Sequence, residues 1–254
     1  MNNEDLEQGI MENDETTWWE FTDFGMSGHV SRDGSVHVTD EVINAATHLA
    51  AAMISLLGTA LLISESSRRG EPWKIVSFSI YGASLIFLFM ASTLHHSIRG
   101  SKKIELRLRI LDYVAIYPLI AGTFTPLCLV YFHNSTIGWT FFAVIWSLAI
   151  AGIILTITAF EKMPKWLSMT LYISQGWLAA FMMFWLYPVI GVGGLVLIAV
   201  GGVFYTVGGW IYSTESPNPI PGIFGFHEIW HLFVIAAAAC HYCLMFFYVL
   251  PWKP

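Results

Sequence analysis

An all-α fold, a polytopic bundle of seven transmembrane helices, is what this sequence predicts, and three observations predict it. Only 12% of the 254 residues are charged while 56% are hydrophobic, with a mean hydropathy of +0.61; a soluble domain carries roughly 25% charged residues. Seven apolar runs follow one another, each near the ~20 residues that cross a bilayer's hydrocarbon core as helix. The stretches between them gather the charge, proline and glycine that the runs exclude. The composition points away from nucleic-acid partners and towards membrane lipid; protein partners leave no signature.

The N-terminal segment, residues 1–40, is read as an acidic tail separate from a membrane domain over 41–254. Residues 1–41 hold eleven Asp or Glu against the single Arg32, leaving seven acids and eleven bases for the rest. The tail lacks a basic start, an apolar core and a cleavage pattern, so it does not read as a signal peptide. Met1 to Glu15 reads as disordered, being polar and charged. Trp18, Trp19, Phe21 and Phe24 extend that tail or lie on the membrane interface or the domain.

The spans are expected at 42–64, 75–97, 110–132, 137–160, 166–188, 190–213 and 227–250. Arg68, Arg69, Gly70 and Pro72 separate the first two, Arg99 to Arg109 the next, then His133 to Ser135, and Glu161 to Lys165. Only Pro188 to Gly194 divides the fifth from the sixth, and three prolines between Ser216 and Gly222 precede the seventh. Trp73, Trp139, Trp166, Trp210, Trp230 and Trp252 sit near span ends, where amphipathic rings form an interfacial belt. Glycines 191, 193, 194, 201, 202, 208 and 209 mark the sixth span for close helix packing. With the N-terminus cytoplasmic, that side holds eight bases (Arg32, Arg99, Lys102, Lys103, Arg107, Arg109, Lys162, Lys165). The other holds four (Arg68, Arg69, Lys74, Lys253), the asymmetry expected for a cell-membrane protein with its N-terminus inside. Cys128, Cys240 and Cys243 all fall inside apolar runs and imply no disulfide framework; Cys240 and Cys243 read as buried small residues.

Ionisable side chains inside a membrane are costly and mark function by default. Here they are His48, His95, His96, Asp112, His227, Glu228, His231 and His241. Counting span parity puts all but His241 on one membrane face. Span one starts there with Glu41, Asn44 and His48, span two returns with Ser92, His95 and His96, span three leaves with Asp112, and span seven starts with His227. His227 and His231 are four apart, so both imidazoles project from one helix face about 6 Å apart, a spacing that grips a metal. Ser92 and His96 share a face, with His95 turned about 100° away, so His96 is favoured as the ring that enters the bundle. Three nitrogen ligands with one open position form a catalytic zinc site, which makes hydrolysis at neutral pH accessible. Asp112 is placed to hold or deprotonate the attacking water and Ser92 to support it. A purely structural role for Asp112 is a charge at the helix start paired with Arg109. His48 is assigned to the surroundings of the site rather than to the metal, and His241 to a hydrogen bond in mid-bundle.

His227-Glu228-Ile229-Trp230-His231 also matches the zincin protease signature, in which the Glu is the general base. The extended form needs Gly and His where this chain has Val234 and Ala237, so a third ligand must come from upstream and Glu228 is optional.

Four motifs now stand in order: Glu41-x-x-Asn44-x-x-x-His48, Ser92-Thr-Leu-His-His96, Leu111-Asp112-Tyr with Ala121-Gly-Thr-Phe-Thr-Pro126, and Gly225-Phe-His-Glu-Ile-Trp-His231. Together they resemble the hemolysin III group of the progestin and adipoQ receptor (PAQR) superfamily, in its bacterial-type branch. The resemblance implies zinc held by His96, His227 and His231, with Asp112 reaching it through water, near the cytoplasmic surface. It also implies ceramidase-like hydrolysis of a lipid amide or ester, a sphingolipid or another acyl lipid. The competing expectation is a non-enzymatic receptor-like or lytic protein in which zinc is structural.

Overall fold

The computed structural model describes residues 40–253. The reading of residues 1–40 as an acidic tail, with its Trp18, Trp19, Phe21 and Phe24, lies outside them except for Asp40. No strand occurs among the described residues beyond one isolated bridge, Ile220 to Phe224. The helices are α1 (Glu41–Arg68), α2 (Pro72–Ser97), α3 (Lys102–Phe132), α4 (Thr136–Ala159), a helical stretch Lys165–Thr214, and α7 (Phe226–Leu244), which runs on as a π-turn, Met245–Val249.

The stretch Lys165–Thr214 is 50 residues, about 75 Å at 1.5 Å per residue, more than twice a hydrocarbon core of ~30 Å. It is two spans. Gly191 has φ 60 and ψ −169, a conformation only glycine holds without strain, and the chain turns back there. Two contacts prove the hairpin: Lys165 Nζ lies 2.8 Å from Glu215 Oε1, and Trp177 Nε1 donates to Thr206 Oγ1 at 3.1 Å. The halves are α5 (165–190) and α6 (192–214), so the seven-span expectation holds with one glycine serving as the fifth connection.

Local chemistry explains the ends. Asp40 caps α1 by accepting from the Val42 and Ile43 amides, with Glu41 in the first turn where the helix dipole favours an acid. Pro72 opens α2 in the first turn, where a missing N–H costs nothing. Ser135 caps α4 through the Ile137 amide. Asn218 pins the start of α7, accepting from Phe226 N at 3.1 Å and donating to the Glu215 carbonyl at 2.8 Å.

Helices adjacent in sequence pack on one another, and α1 closes the bundle against α7. Large apolar residues such as Leu57, Ile154, Phe181 and Phe184 are exposed. Such an outward apolar surface is stable only against lipid. Tyr81, Phe78, Phe89 and Phe226 fill the interior. The glycines of α6 act as expected: a Cβ on Gly208 would stand 2.8 Å from Phe233, and one on Gly201 would stand 2.4 Å from His241 Nε2, so α6 and α7 touch through backbone. Of the six belt tryptophans, Trp73, Trp139, Trp166 and Trp210 are exposed, whereas Trp230 packs on Tyr212 and Trp252 on Tyr131. At the end away from the histidines, buried Lys74 donates to the Leu250 carbonyl at 2.8 Å and also to that of Trp252, and Arg69 reaches Leu250 as well. These donors satisfy carbonyls that the last turn leaves open.

One boundary differs in a way that matters. α3 begins at Lys102, eight residues before the expected start, because a charged turn (Lys102, Lys103, Glu105, Arg107, Arg109) continues the helix beyond the apolar run. Asp112 is therefore three turns inside the helix, out of reach of the N-terminal dipole.

Candidate metal centre

Helices far apart in the chain meet at one end of the bundle. His96 from α2 meets His227 and His231 from α7, with ring centroids 5.0 Å apart in each case. One ligand nitrogen from each lies within 4.8 Å of the others, and all three rings are buried. His227 Nε2 and His231 Nε2 are 3.1 Å apart. Two neutral rings in that pose share at most one proton, whereas tetrahedral zinc at 2.0–2.1 Å from nitrogen needs a separation of ~3.3 Å. Three imidazole nitrogens gathered in this way could hold a metal ion, and the one close pair lies near the spacing that a tetrahedral site needs.

The carboxylates divide into three roles. Asp112 is half-buried, faces the Ser92 hydroxyl, and joins His95 and His96 in a second group of potential ligand atoms within 4.8 Å. The alternative pairing of Asp112 with Arg109 is not what forms: Arg109 lies over the Phe160 ring at 4.9 Å. Glu228 is turned away from the cluster. Its Oε1 accepts from Asp40 N at 2.8 Å and Asn44 Nδ2 at 3.0 Å, and its Oε2 from Gly225 N at 2.8 Å. A carboxylate so engaged locks the start of α1 to the start of α7 and is not free to act as the base of a zincin protease.

Glu41 is the residue whose role the sequence reading missed. Its Oε2 sits 2.5 Å from His96 Nδ1. A carboxylate accepts, so Nδ1 carries the proton and Nε2 presents its lone pair inward, the arrangement that orients metal-binding histidines. The signal was available: Glu41, Asn44 and His48 share a stripe at the same membrane level as His96. His95, expected to turn away, is buried and near Asp112, because α2 is enclosed on both flanks. His48 stacks on His231 at 3.7 Å and meets the edge of Phe89, and neither of its ring nitrogens has a hydrogen-bond partner among the described residues. His241 lies deeper. Cys128 is buried and Cys240 and Cys243 are half-buried; all are free.

A cavity of about 210 Å³ opens directly beneath the histidines. His48, Ser92, His95, Asp112, His227 and His231 form its polar end, and the remaining wall is largely apolar. Along α3 the wall runs from Asp112 to Leu127, ~22 Å at the helical rise. It also includes Trp177 of α5 and Val203 of α6, which are half exposed on the lipid side.

Comparison with known proteins decides the family, since the Haemolysin-III related family matches residues 36–242. The chain belongs to the haemolysin III family. Within it, similarity is high to Hemolysin-3 of Bacillus cereus, 40% identical over 214 residues that cover 84% of this chain and 94% of the relative. The Hemolysin-3 homolog of Bacillus subtilis (strain 168) is 38% identical over 213 residues, 84% of this chain and 96% of that protein. The Monocyte to macrophage differentiation factor of Homo sapiens is 29% identical over 221 residues, 83% and 84% of the two chains. These relatives place the haemolysin III chain within the PAQR superfamily, on its bacterial side.

Proposed function

We propose that this haemolysin III protein is a zinc-dependent hydrolase of a membrane lipid amide or ester. The observation that carries the reading is the continuity of the histidine cluster with a long apolar cavity that reaches the lipid face between α5 and α6. An acyl chain lies in the apolar part, its head at the polar end, and it enters from the bilayer beside Trp177. His96, His227 and His231 hold the metal, Glu41 fixing the tautomer of His96 and His48 backing the ring of His231. When bound, zinc supplies polarisation of the scissile carbonyl and acidification of water. Asp112 takes the proton of the attacking water, being the carboxylate that lines the cavity among the described residues. Ser92 orients the Asp112 carboxylate from the adjacent helix face. The excess of basic residues on the histidine side supports a cytoplasmic site and an N-terminus inside the cell membrane.

Protein purified in detergent is expected to carry one zinc per chain and to lose it in His227→Ala/His231→Ala. Asp112→Ala is expected to keep zinc and lose hydrolysis of ceramide-like amides by at least a hundredfold. Zinc absent from wild type, or undiminished in the double variant, overturns the site. Zinc present with no change in the lipidome on deletion of the protein favours the staple reading, in which the metal only ties α2 to α7.

A further inference from the structure

The cavity has a second polar end that the hydrolytic reading does not use. α7 carries His227, His231, Val234, His241 and Leu244 along one wall. His241 is ten residues past His231, ~15 Å deeper in the bundle. Opposite it on α6 stands Tyr205, with ring centroids 5.8 Å apart, and both residues line the cavity. Tyr205 Oη and His241 Nδ1 are buried and have no hydrogen-bond partner among the described residues. Tyr81 Oη, on α2 behind Tyr205, is a third such atom. Buried polar atoms are nearly always paired, and in the depth of a membrane each unpaired one costs free energy that bulk water cannot return. Two of them facing one cavity describe a place for a polar group.

Their chemistry narrows the group. His241 Nε2 faces the α6 backbone at Gly201, and the Ile198 carbonyl stands beside the ring. With the proton of a neutral imidazole on Nε2, the nitrogen that faces this backbone, Nδ1 is left as an acceptor. Tyr205 Oη offers a donor. A hydroxyl satisfies both at once, giving its proton to His241 and accepting from Tyr205. A carbonyl meets only the tyrosine, and a methylene meets neither. We propose that the cavity floor between Tyr205 and His241 is a subsite for a hydroxyl on the ligand's acyl chain, so that the preferred lipid is hydroxylated well away from its head group. This rests on the reading that the head group sits at the histidine cluster, from which ~15 Å is about twelve carbons of extended chain.

The test is binding of 12-hydroxystearate and stearate to the purified full chain in detergent, by calorimetry, with zinc measured on the same preparations. Wild type is expected to bind the 12-hydroxy acid about tenfold more tightly, the worth of one well-made buried hydrogen-bond pair, and to show no such gain for 2-hydroxystearate. Tyr205→Phe, which removes only the hydroxyl, is expected to bring the two acids to parity with stearate affinity unchanged, and His241→Leu to do the same. Equal affinities in wild type, a preference that survives both substitutions, or no binding of either acid overturns the subsite. The two readings fail separately. A hydroxyl preference in protein without zinc keeps the floor and removes the metal, whereas zinc and amide hydrolysis without a preference do the reverse.

Discussion

Glu41 and Glu228 show how two acids at the same membrane level come to do different things. Glu41 ends on a histidine ring, Glu228 on three donors from the backbone and Asn44. Glu41→Gln is therefore expected to weaken zinc binding 10- to 100-fold, because the amide no longer holds the inward tautomer of His96; competition with a chromophoric chelator measures it. Glu228→Gln is expected to leave turnover per folded molecule within a few-fold while lowering stability by about 1.5–3 kcal/mol, the worth of hydrogen bonds to a charged acceptor. Thermal unfolding alongside an activity assay separates the two effects, and loss of turnover at unchanged melting temperature would restore Glu228 as a base.

Among the elements, the hairpin of α5 and α6 depends on one residue. Gly191 occupies a backbone region that side chains exclude, and a Cβ there would meet no neighbour, so strain alone is at stake. Gly191→Ala is expected to cost about 1–3 kcal/mol, the penalty of that conformation, read as a lower midpoint in chemical unfolding. Gly202→Ala, also on α6 but at φ < 0 and with open space around its Cβ, is expected to be nearly neutral. A stability loss of the same size in both would place the effect in helix packing rather than in the turn.

For the whole molecule, two ties join the first helices to the last at opposite ends of the bundle. The histidine cluster and Glu228 hold α1, α2 and α7 at one end, while Lys74 holds the Leu250 and Trp252 carbonyls at the other. A chelator is expected to lower the melting temperature of the zinc-loaded protein, since a ligand bound to the native state at a hundred times its Kd contributes about 2.7 kcal/mol. Lys74→Met retains the buried stem and removes the donors, so it is expected to destabilise the protein without altering zinc content, as paired thermal and metal analyses would show. Zinc loss in Lys74→Met would mean that the two ends are coupled through the bundle.

Apolar run length, charge at the connections and span parity already carried the seven helices and the grouping of His96, His227, His231, Asp112 and Ser92 on one face, because a bilayer leaves a helix few choices of direction and depth. Parity assigns a level but no azimuth, and so the partners within that level waited on packing. Which way Glu41, Glu228, His48 and His95 turn depends on the rotation of each helix about its own axis, and that rotation is set by contacts between segments far apart in the chain. The start of α3 at Lys102 escaped the apolar pattern because helix outlasts membrane there. The cavity belongs to the tertiary structure alone, since a void is defined by what several helices together fail to fill.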